Sequence, residues 1–584
     1  PRATIDQAAN ASLVITLSGD LKDDLPILYL RLRDAVRERG TQIVELSPTR
    51  TGLSPYAAVT LQYRPGEPAS VAAAVAGEGP ISGDVAGVDS DELMAARAHI
   101  ARARQSASGR SGPGIVVVIG RPSLSEPAEQ VAVAARLLAG IPGVRFLPAL
   151  RRANVHGALD CGLSPGVLPG RVDLADGREW YSHHWAAELP QVAGLDTAGI
   201  LDAATRGRVG GLVLLGADPR SDFPDAGLAL RGLSGARFVV SVDTHTNSST
   251  RHADVVLPAA AWAEKRGTFT NIEGRITWLS QTVTAPGLAW PDWMIASELA
   301  ARMGVDLGFS SQDDIWAEVT RLSPLHAGAG YDLISEQQSR DGVVVPVGTE
   351  HRAGRRAPRP LDPMADPGIA SAELHSIAPT SMLLKASASV AMEPEADGEV
   401  RPVSVSPAGG VTTSALAAQA DAEGDDVPER PAVMGPPATA AQAGGSSASG
   451  APQPAGGGGG GASEALRLVT RRTLWDGGTL VRSVPALAGL YPEACLKVHP
   501  SALARIGTAD GETVVVKSAL GKVTVAASGD PTLPSGTAFL AWNLPGVPVG
   551  ELIDAGAATT YVEVEAAAFP GPAAGSTGRE GTGG

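Results

Sequence analysis

The chain has 584 residues, of which 43% are hydrophobic and only 4% aromatic, with a formal net charge of −15. That length suits roughly three or four domains, and the acidic balance argues against general binding of nucleic acid or anionic lipid. No run of about 18 apolar residues occurs, so no direct membrane insertion is expected, and no secretory signal is visible.

In chain order, residues 12–46 read as a β-α-β unit. "SLVITLSG" is a continuous apolar strand that ends at Gly19. "PILYLRLRDAVRERG" follows, with Ile27, Leu28, Leu30, Leu32, Ala35 and Val36 spaced among charges, and Gly40 stops it. "QIVEL" is the next strand. Continuous apolar strands that alternate with helices predict a parallel sheet covered on both faces. A second pattern starts at "GIVVVIG" (114–120), with the helical "PAEQVAVAARLLAG" and the strand-like "VRFL". A third runs from "GLVLLG" (211–216) to "RFVVSVD" (237–243) and ends in "DVVLPAA".

Two of these units resemble each other. "LVITLSGDLKDDLP" and "LVLLGADPRSDFP" both run strand, Gly, acidic loop, Pro, helix, and both lead to a further strand. This is the pattern of a duplicated nucleotide-fold half, whose loops at the carboxyl ends of the strands face a crevice. Neither loop is a GxGxxG or a P-loop, so ordinary βα turns with acidic helix starts explain them equally well.

The composition changes near Ala386. The stretch to Glu464 has no Phe, Tyr, Trp, His or Cys and is rich in Ala, Gly, Pro and Ser, which predicts a disordered linker. "ETVVVKS", "GKVTVAAS", "GTAFLAW" and "TYVEVE" then read as strands of a compact all-β unit. The expected division is 1–113, 114–195, 196–385, a linker over 386–464, a β-barrel over 465–570 and a disordered tail over 571–584. The two cysteines, Cys161 and Cys495, lie far apart and outside any CxxC. They cannot hold an iron–sulfur cluster alone, since that generally takes four thiolates, and are expected to be small buried hydrophobes in a reducing cytoplasm.

"ADVVLPAAAWAEKRGTFTNIEGR", followed by "DWMIASELAARMG", resembles the molybdopterin oxidoreductase superfamily. Within it the likeness is to the G-subunit family of bacterial NADH–quinone oxidoreductase, the large peripheral-arm subunits of respiratory complex I. "DDLPILYLRLRDAVRERG", "RRANVHGALDCGLSPGVLPGR" and "LKVHPSALARIGTADGETVVVKSALGKVTV" agree with it. The resemblance implies an α/β fold of doubly wound Rossmann-like units in a molybdopterin oxidoreductase-type domain, with a C-terminal barrel similar to the family's dinucleotide-binding domain. It also implies that the 4Fe-4S and 2Fe-2S clusters of the full subunit, and the molybdenum ligand of catalytic relatives, lie upstream of Pro1. The chain then corresponds to a carboxy-terminal portion that holds no cofactor of its own, and molybdopterin is not expected. Its implied role is structural, in a proton-pumping enzyme that passes electrons from NADH through FMN and iron–sulfur centres to quinone. The implied partners are other peripheral-arm subunits, and the implied location is the cytoplasmic side of the membrane. The alternative is a truncated molybdenum-dependent oxidoreductase of formate dehydrogenase or nitrate reductase type.

"RHADVVLPAAAWAEKRGTFTNIEGR" (251–275) concentrates charged and polar side chains. "DVVLP" reads as a buried strand end stopped by Pro258, Glu264 and Lys265 as a short helix or turn, and Gly267 and Thr268 as a tight turn. The resemblance makes Glu264, Gly267, Thr268 and Asn271 neighbours of a pterin-type pocket. The competing expectation is an internal network, Glu264 with Arg266 or Arg275 and Asn271 with backbone, that only fixes the loop. His245 and His252 flank "TNSST" without a Ser–His–Asp or HExxH spacing and are expected to be loop histidines. In "WYSHHW" (180–185), His183 and His184 diverge on a helix or strand, so an aromatic core or a subunit contact is expected rather than a metal. The basic "HRAGRRAPRP" (351–360) is expected to be an exposed loop.

Overall fold

The structure is a computed structural model, and it describes residues 2–106, 113–335, 341–347, 464–487, 489–557 and 559–567, with the backbone of 381–382. The expected linker up to residue 463, the 571–584 tail and the 351–360 loop lie outside the described residues, while Glu464, expected to end the linker, opens a strand.

The first sheet is built from β1 (Leu13–Leu17), β2 (Gln42–Ser47), β3 (Val59–Gln62), β4 (Ile115–Ile119) and β5 (Val144–Pro148), in the order β3-β2-β1-β4-β5. All neighbours are parallel, with Ile15 opposite Val44 on one side and Val117 on the other. Every residue of β1 and β4 is buried, as a central strand covered on both faces requires. Alternation divides the strand between two cores. Leu13, Ile15 and Leu17 pack with Val117 and with helices over Pro68–Ala76, Ser90–Ser106 and Ala128–Ala139. Val14 packs on the other face with Leu28 and Leu32. These leucines belong to α2 (Pro26–Arg39), which follows the short α1 (Leu21–Asp24) and ends at Gly40 in the left-handed conformation, φ 73°.

The boundary expected at 113/114 falls inside this sheet, because β4 pairs with β1 rather than starting a sheet of its own. The segment expected as a second α/β unit is thus the other half of the first doubly wound sheet.

The second sheet carries β6 (Leu212–Leu215), β7 (Val239–Asp243) and β8 (Val255–Pro258), parallel and adjacent in that order. The duplication is visible in three dimensions. Strand β1, Gly19, α1 and α2 lead to β2, just as β6, Gly216, α3 (Pro219–Asp222) and α4 (Ala226–Gly235) lead to β7. The buried end expected for "DVVLP" does not hold. β8 is an edge strand with Val255 38% and Val256 44% exposed. An apolar run does not by itself distinguish a central strand from an edge one.

Residues 464–567 form a closed barrel of β9 (Glu464–Val469), β10 (Cys495–Val498), β11 (Thr513–Lys517), β12 (Lys522–Gly529), β13 (Thr537–Leu540) and β14 (Tyr561–Ala566), ordered β9-β13-β10-β12-β11-β14. The four strands read from the sequence are β11 to β14. The interior is filled by Leu466, Val498, Val514, Val516, Leu540, Val562 and Val564. The cysteines depart from expectation, since Cys161 is exposed and Cys495 half-buried. Cys161 follows directly on a short helix (Val155–Asp160) as its C-cap.

Candidate functional site

In an open α/β sheet, loops at the carboxyl ends of the strands on either side of the switch point bound a crevice. Here the switch lies between β1 and β4, and the crevice is closed by the barrel. After β4, Leu124 N–H donates to Thr470 O (2.9 Å) and Thr470 N–H donates to Ser123 Oγ (3.0 Å). After β3, Arg467 of the barrel reaches Glu67 (2.6 Å) and Pro65 O (2.8 Å).

Within this seam, two arginine pairs meet the acidic loops of the two duplicated units. Arg151, which follows β5, contacts Asp24 at 4.0 Å and Asp476 at 3.1 Å. Arg152 contacts Asp222 at 2.8 Å. Arg472, which follows β9, contacts Asp476 at 3.0 Å and also pairs with Asp222. Asp24 ends α1 and Asp222 ends the matching α3, so the duplication supplies one carboxylate from each unit to a shared ion-pair lattice. Burial pushes the Asp24 carboxyl up to about 6, against the opposing pull of Arg151 and Arg471. Burial acts on Asp222 in the same direction, but Arg152 and Arg472 together hold its carboxyl below the usual value.

Two further arginines face the same space. Arg121 donates through Nη2 to Leu124 O (3.0 Å) and Glu126 O (2.7 Å), and burial lowers its guanidinium to about 10. Arg471 lies over the Phe539 ring, 5.2 Å from its centroid. Asp24 and Arg121, Arg151, Arg152, Arg471 and Arg472 line what remains of the cleft, a cavity of about 90 Å³. Beside it, Glu126 is 2% exposed and accepts from the Tyr63 hydroxyl at 3.2 Å. Burial raises Glu126 to about 7. A second recess of about 340 Å³ opens between α3–α4 and the Trp542–Gly550 loop of the barrel.

The residues singled out from the sequence lie elsewhere. Gly267 and Thr268 are not in a tight turn but in a strand, Gly267–Thr270, that pairs antiparallel with Arg275–Leu279. The turn is at 271–274, with Gly274 at φ 76°. Asn271 organises it by accepting from the N–H groups of Glu273 (2.9 Å) and Arg275 (3.0 Å). Glu264 accepts from the N–H of Ala261 (2.8 Å) at the start of its own short 3-10 turn, rather than holding Arg266 or Arg275. Arg266 instead meets Asp313 at 3.6 Å, Arg275 meets Glu273 at 3.1 Å, and Lys265 pairs with Asp292. None of Glu264, Gly267, Thr268 and Asn271 lines the arginine cleft.

His183 and His184 diverge on one helix, Leu174–Trp185. His184 is 5% exposed and 4.2 Å from the Trp180 ring, while His183 is exposed. His245 sits in a loop beside Thr244 Oγ1, at 2.9 Å. Among the described residues, no group of three or more His, Cys, Asp or Glu is placed to hold a metal ion, and no helix is long and apolar enough to cross a membrane. Arg151 and Arg152 fall in a stretch that carries the resemblance, but the sequence marks none of the cleft arginines as a site residue. Their one signal was an Arg-Arg pair following each of two strands, "VRFLPALRR" and "LRLVTRR".

Residues 2–302 match the molybdopterin oxidoreductase family, and residues 466–567 match the Molydopterin dinucleotide binding domain. The chain is similar to the second NADH-quinone oxidoreductase G-subunit of Rhizobium meliloti, at 31% identity over 348 residues, which covers 57% of this chain and 40% of the relative. It is similar to the NADH-quinone oxidoreductase G-subunit of Streptomyces coelicolor, at 32% over 327 residues, covering 55% and 36%. The alpha subunit of F420-dependent formate dehydrogenase 2 of Methanococcus maripaludis is 36% identical over 218 residues, covering 37% and 32%. The matched region thus spans two fifths or less of these relatives' length. Acetylene hydratase from Pelobacter acetylenicus has a similar fold, with a TM-score of 0.52 at 14% identity over 92% of this chain and 71% of that one. With a match over more than half its length, a doubly wound sheet, a duplicated half-unit and a terminal barrel, this chain belongs to the molybdopterin oxidoreductase family.

Proposed function

We propose that this chain is a non-catalytic, pterin-type region of a protein of the NADH–quinone oxidoreductase G-subunit type. In that role it supports electron transfer from NADH through FMN and iron–sulfur centres to quinone. It supplies a rigid surface for neighbouring peripheral-arm subunits on the cytoplasmic side of the membrane, and the 4Fe-4S and 2Fe-2S clusters are carried by other parts of the full subunit. The similarity to two such G-subunits supports this assignment.

The observation that carries the non-catalytic reading is the state of the cleft. On this reading a pterin dinucleotide has too little room in the switch-point cleft. Pockets that enclose even drug-sized ligands measure roughly 300–1,000 Å³, whereas this one keeps about 90 Å³. The carboxylates of both duplicated loops are bound to Arg151, Arg152 and Arg472, which ties the two sheets and the barrel together across the crevice. Glu264, Gly267, Thr268 and Asn271, the vestigial-pocket candidates, serve backbone capping and hairpin geometry instead.

The second reading is a molybdenum-dependent oxidoreductase of formate dehydrogenase or nitrate reductase type. It is favoured by the 36% identity to a formate dehydrogenase alpha subunit, higher than to either NADH-quinone oxidoreductase relative. Metal and pterin analysis of the full-length protein in its native assembly separates the two. The structural reading expects bound iron with background molybdenum and no extractable pterin. Stoichiometric molybdenum and pterin would establish the second reading.

A further inference from the structure

We propose that the arginine cleft between the first sheet and the barrel is a binding site for one small inorganic oxyanion of the sulfate or phosphate class. The pairing of its five guanidinium groups leads there. Arg151, Arg152 and Arg472 are matched by Asp24, Asp222 and Asp476. Among the described residues, no carboxylate lies within ion-pair range of Arg121 or Arg471. Each also keeps a buried nitrogen without an acceptor among those residues, Nε of Arg121 and Nη1 of Arg471. Both side chains line the one cavity, and because a buried, unsatisfied guanidinium nitrogen is costly, a single multidentate oxyanion that draws the two groups round it relieves both. The cavity, about 90 Å³, is on the scale of a few waters at about 30 Å³ each. That space suits one tetrahedral anion and excludes a nucleotide.

The neighbouring acids make the site sensitive to pH. Asp24 is the carboxylate that lines the cavity, and it is surrounded by Arg151, Arg471, Asp23 and Asp20. Burial lifts it to about 6, so below that value it is neutral and does not repel an anion. Glu126, which opposes Arg121, is raised by burial to about 7 and is neutral below that value too. Anion binding is therefore strongest on the acid side of neutrality.

Sulfate tests this cleanly, because its own charge is constant across the range. Titration calorimetry and thermal unfolding of the full chain would compare sodium sulfate with sodium chloride at matched ionic strength, at pH 5.5 and pH 8. One sulfate is expected to bind with a rise in Tm that chloride does not reproduce, and binding at pH 8 is expected to be at least tenfold weaker. Arg471→Gln should lose tenfold or more in affinity at pH 5.5. Arg471→Lys, which keeps the charge and preserves the fold if the Gln variant does not, should lose less. Asp24→Asn should recover part of the affinity lost at pH 8, the ionised Glu126 holding back the rest. The proposal falls if sulfate and chloride act alike, if Arg471→Gln and Arg471→Lys both bind like the parent, or if a nucleoside diphosphate binds more tightly than sulfate.

Discussion

Glu126 is the side chain whose protonation matters most for stability. It is 2% exposed, lies against the fully buried Tyr63, and belongs to the 123–126 turn hooked onto the barrel. Its folded pKa of about 7 lies above its ordinary value of 4.5 because burial disfavours the charge. A raised carboxyl binds its proton more tightly in the folded state. Its stabilising share is therefore full below pH 4.5, declines from there to about 7 and is gone above. At 1.36 kcal/mol per unit, the 2.5-unit difference amounts to about 3 kcal/mol. Glu126→Gln should flatten this part of the pH profile and raise stability at pH 8. Urea unfolding at pH 5 and pH 8 checks it, and an unchanged difference between the two pH values in the variant would refute the assignment. Glu264 has a smaller role. Its carboxylate holds one backbone N–H, that of Ala261, and neither Arg266 nor Arg275 depends on it. Glu264→Ala should then cost about 1 kcal/mol, as the loss of a capping side chain does, and, under the proposed function, leave electron transfer per assembled complex unchanged. A hundredfold loss of turnover with normal assembly would instead mark a catalytic carboxylate.

Among the elements, α1 and its repeat α3 show how a duplicated local pattern acquires a tertiary use. Each follows a strand and a glycine, and each ends in an aspartate that meets an arginine from another part of the chain. Asp222 is the denser junction, since Arg152 and Arg472 both pair with it. Asp222→Asn would leave the exposed Arg152 unpaired and the buried Arg472 with Asp476 alone, a loss on the order of 1 kcal/mol. Its carboxyl lies below its usual value, so its contribution is present above the unfolded value and is lost as pH falls through the folded one. The variant should therefore lose stability at pH 7 and approach the parent in strong acid. Thermal melts at pH 7 and pH 3 read this directly, and equal melting temperatures at pH 7 would show that the lattice is dispensable.

At the scale of the molecule, two α/β sheets and a barrel are joined through loops at the carboxyl ends of strands, and 386–463 lies in sequence before the barrel. The composition of that stretch predicts no packing role. Removing 386–463 should leave Tm within a few degrees of the parent, because loop-closure free energy changes only slowly with length. A large drop on deletion would show that the segment packs against the rest.

Strand and helix alternation, the stop at Gly40, the duplicated strand–Gly–acid pattern and four of the barrel strands were legible because each is written in neighbouring residues: apolar periodicity, a left-handed glycine, a turn. The partition of those elements was not. That β4 pairs with β1 rather than founding a new sheet depends on which strand edge is open after residues 48–114 have crossed over, and two equally apolar strands carry no label for that choice. The same limit hid the cleft. Asp222 and Arg472 are 250 residues apart, and no local spacing announces an ion pair of that separation. The conspicuous charge cluster at 251–275 was taken up by its own turns and by pairs with Asp292, Asp313 and the Ile5 backbone, while the inconspicuous Arg-Arg pairs met across the switch point. Sequence alone specified most of the segments that become strands and helices, though not the strand at Gly267–Thr270 or the first two strands of the barrel, since those it did specify depend on short-range sterics and burial. Only the tertiary path decided which charges face one another, because Coulombic pairing depends on distance in space and not on order along the chain.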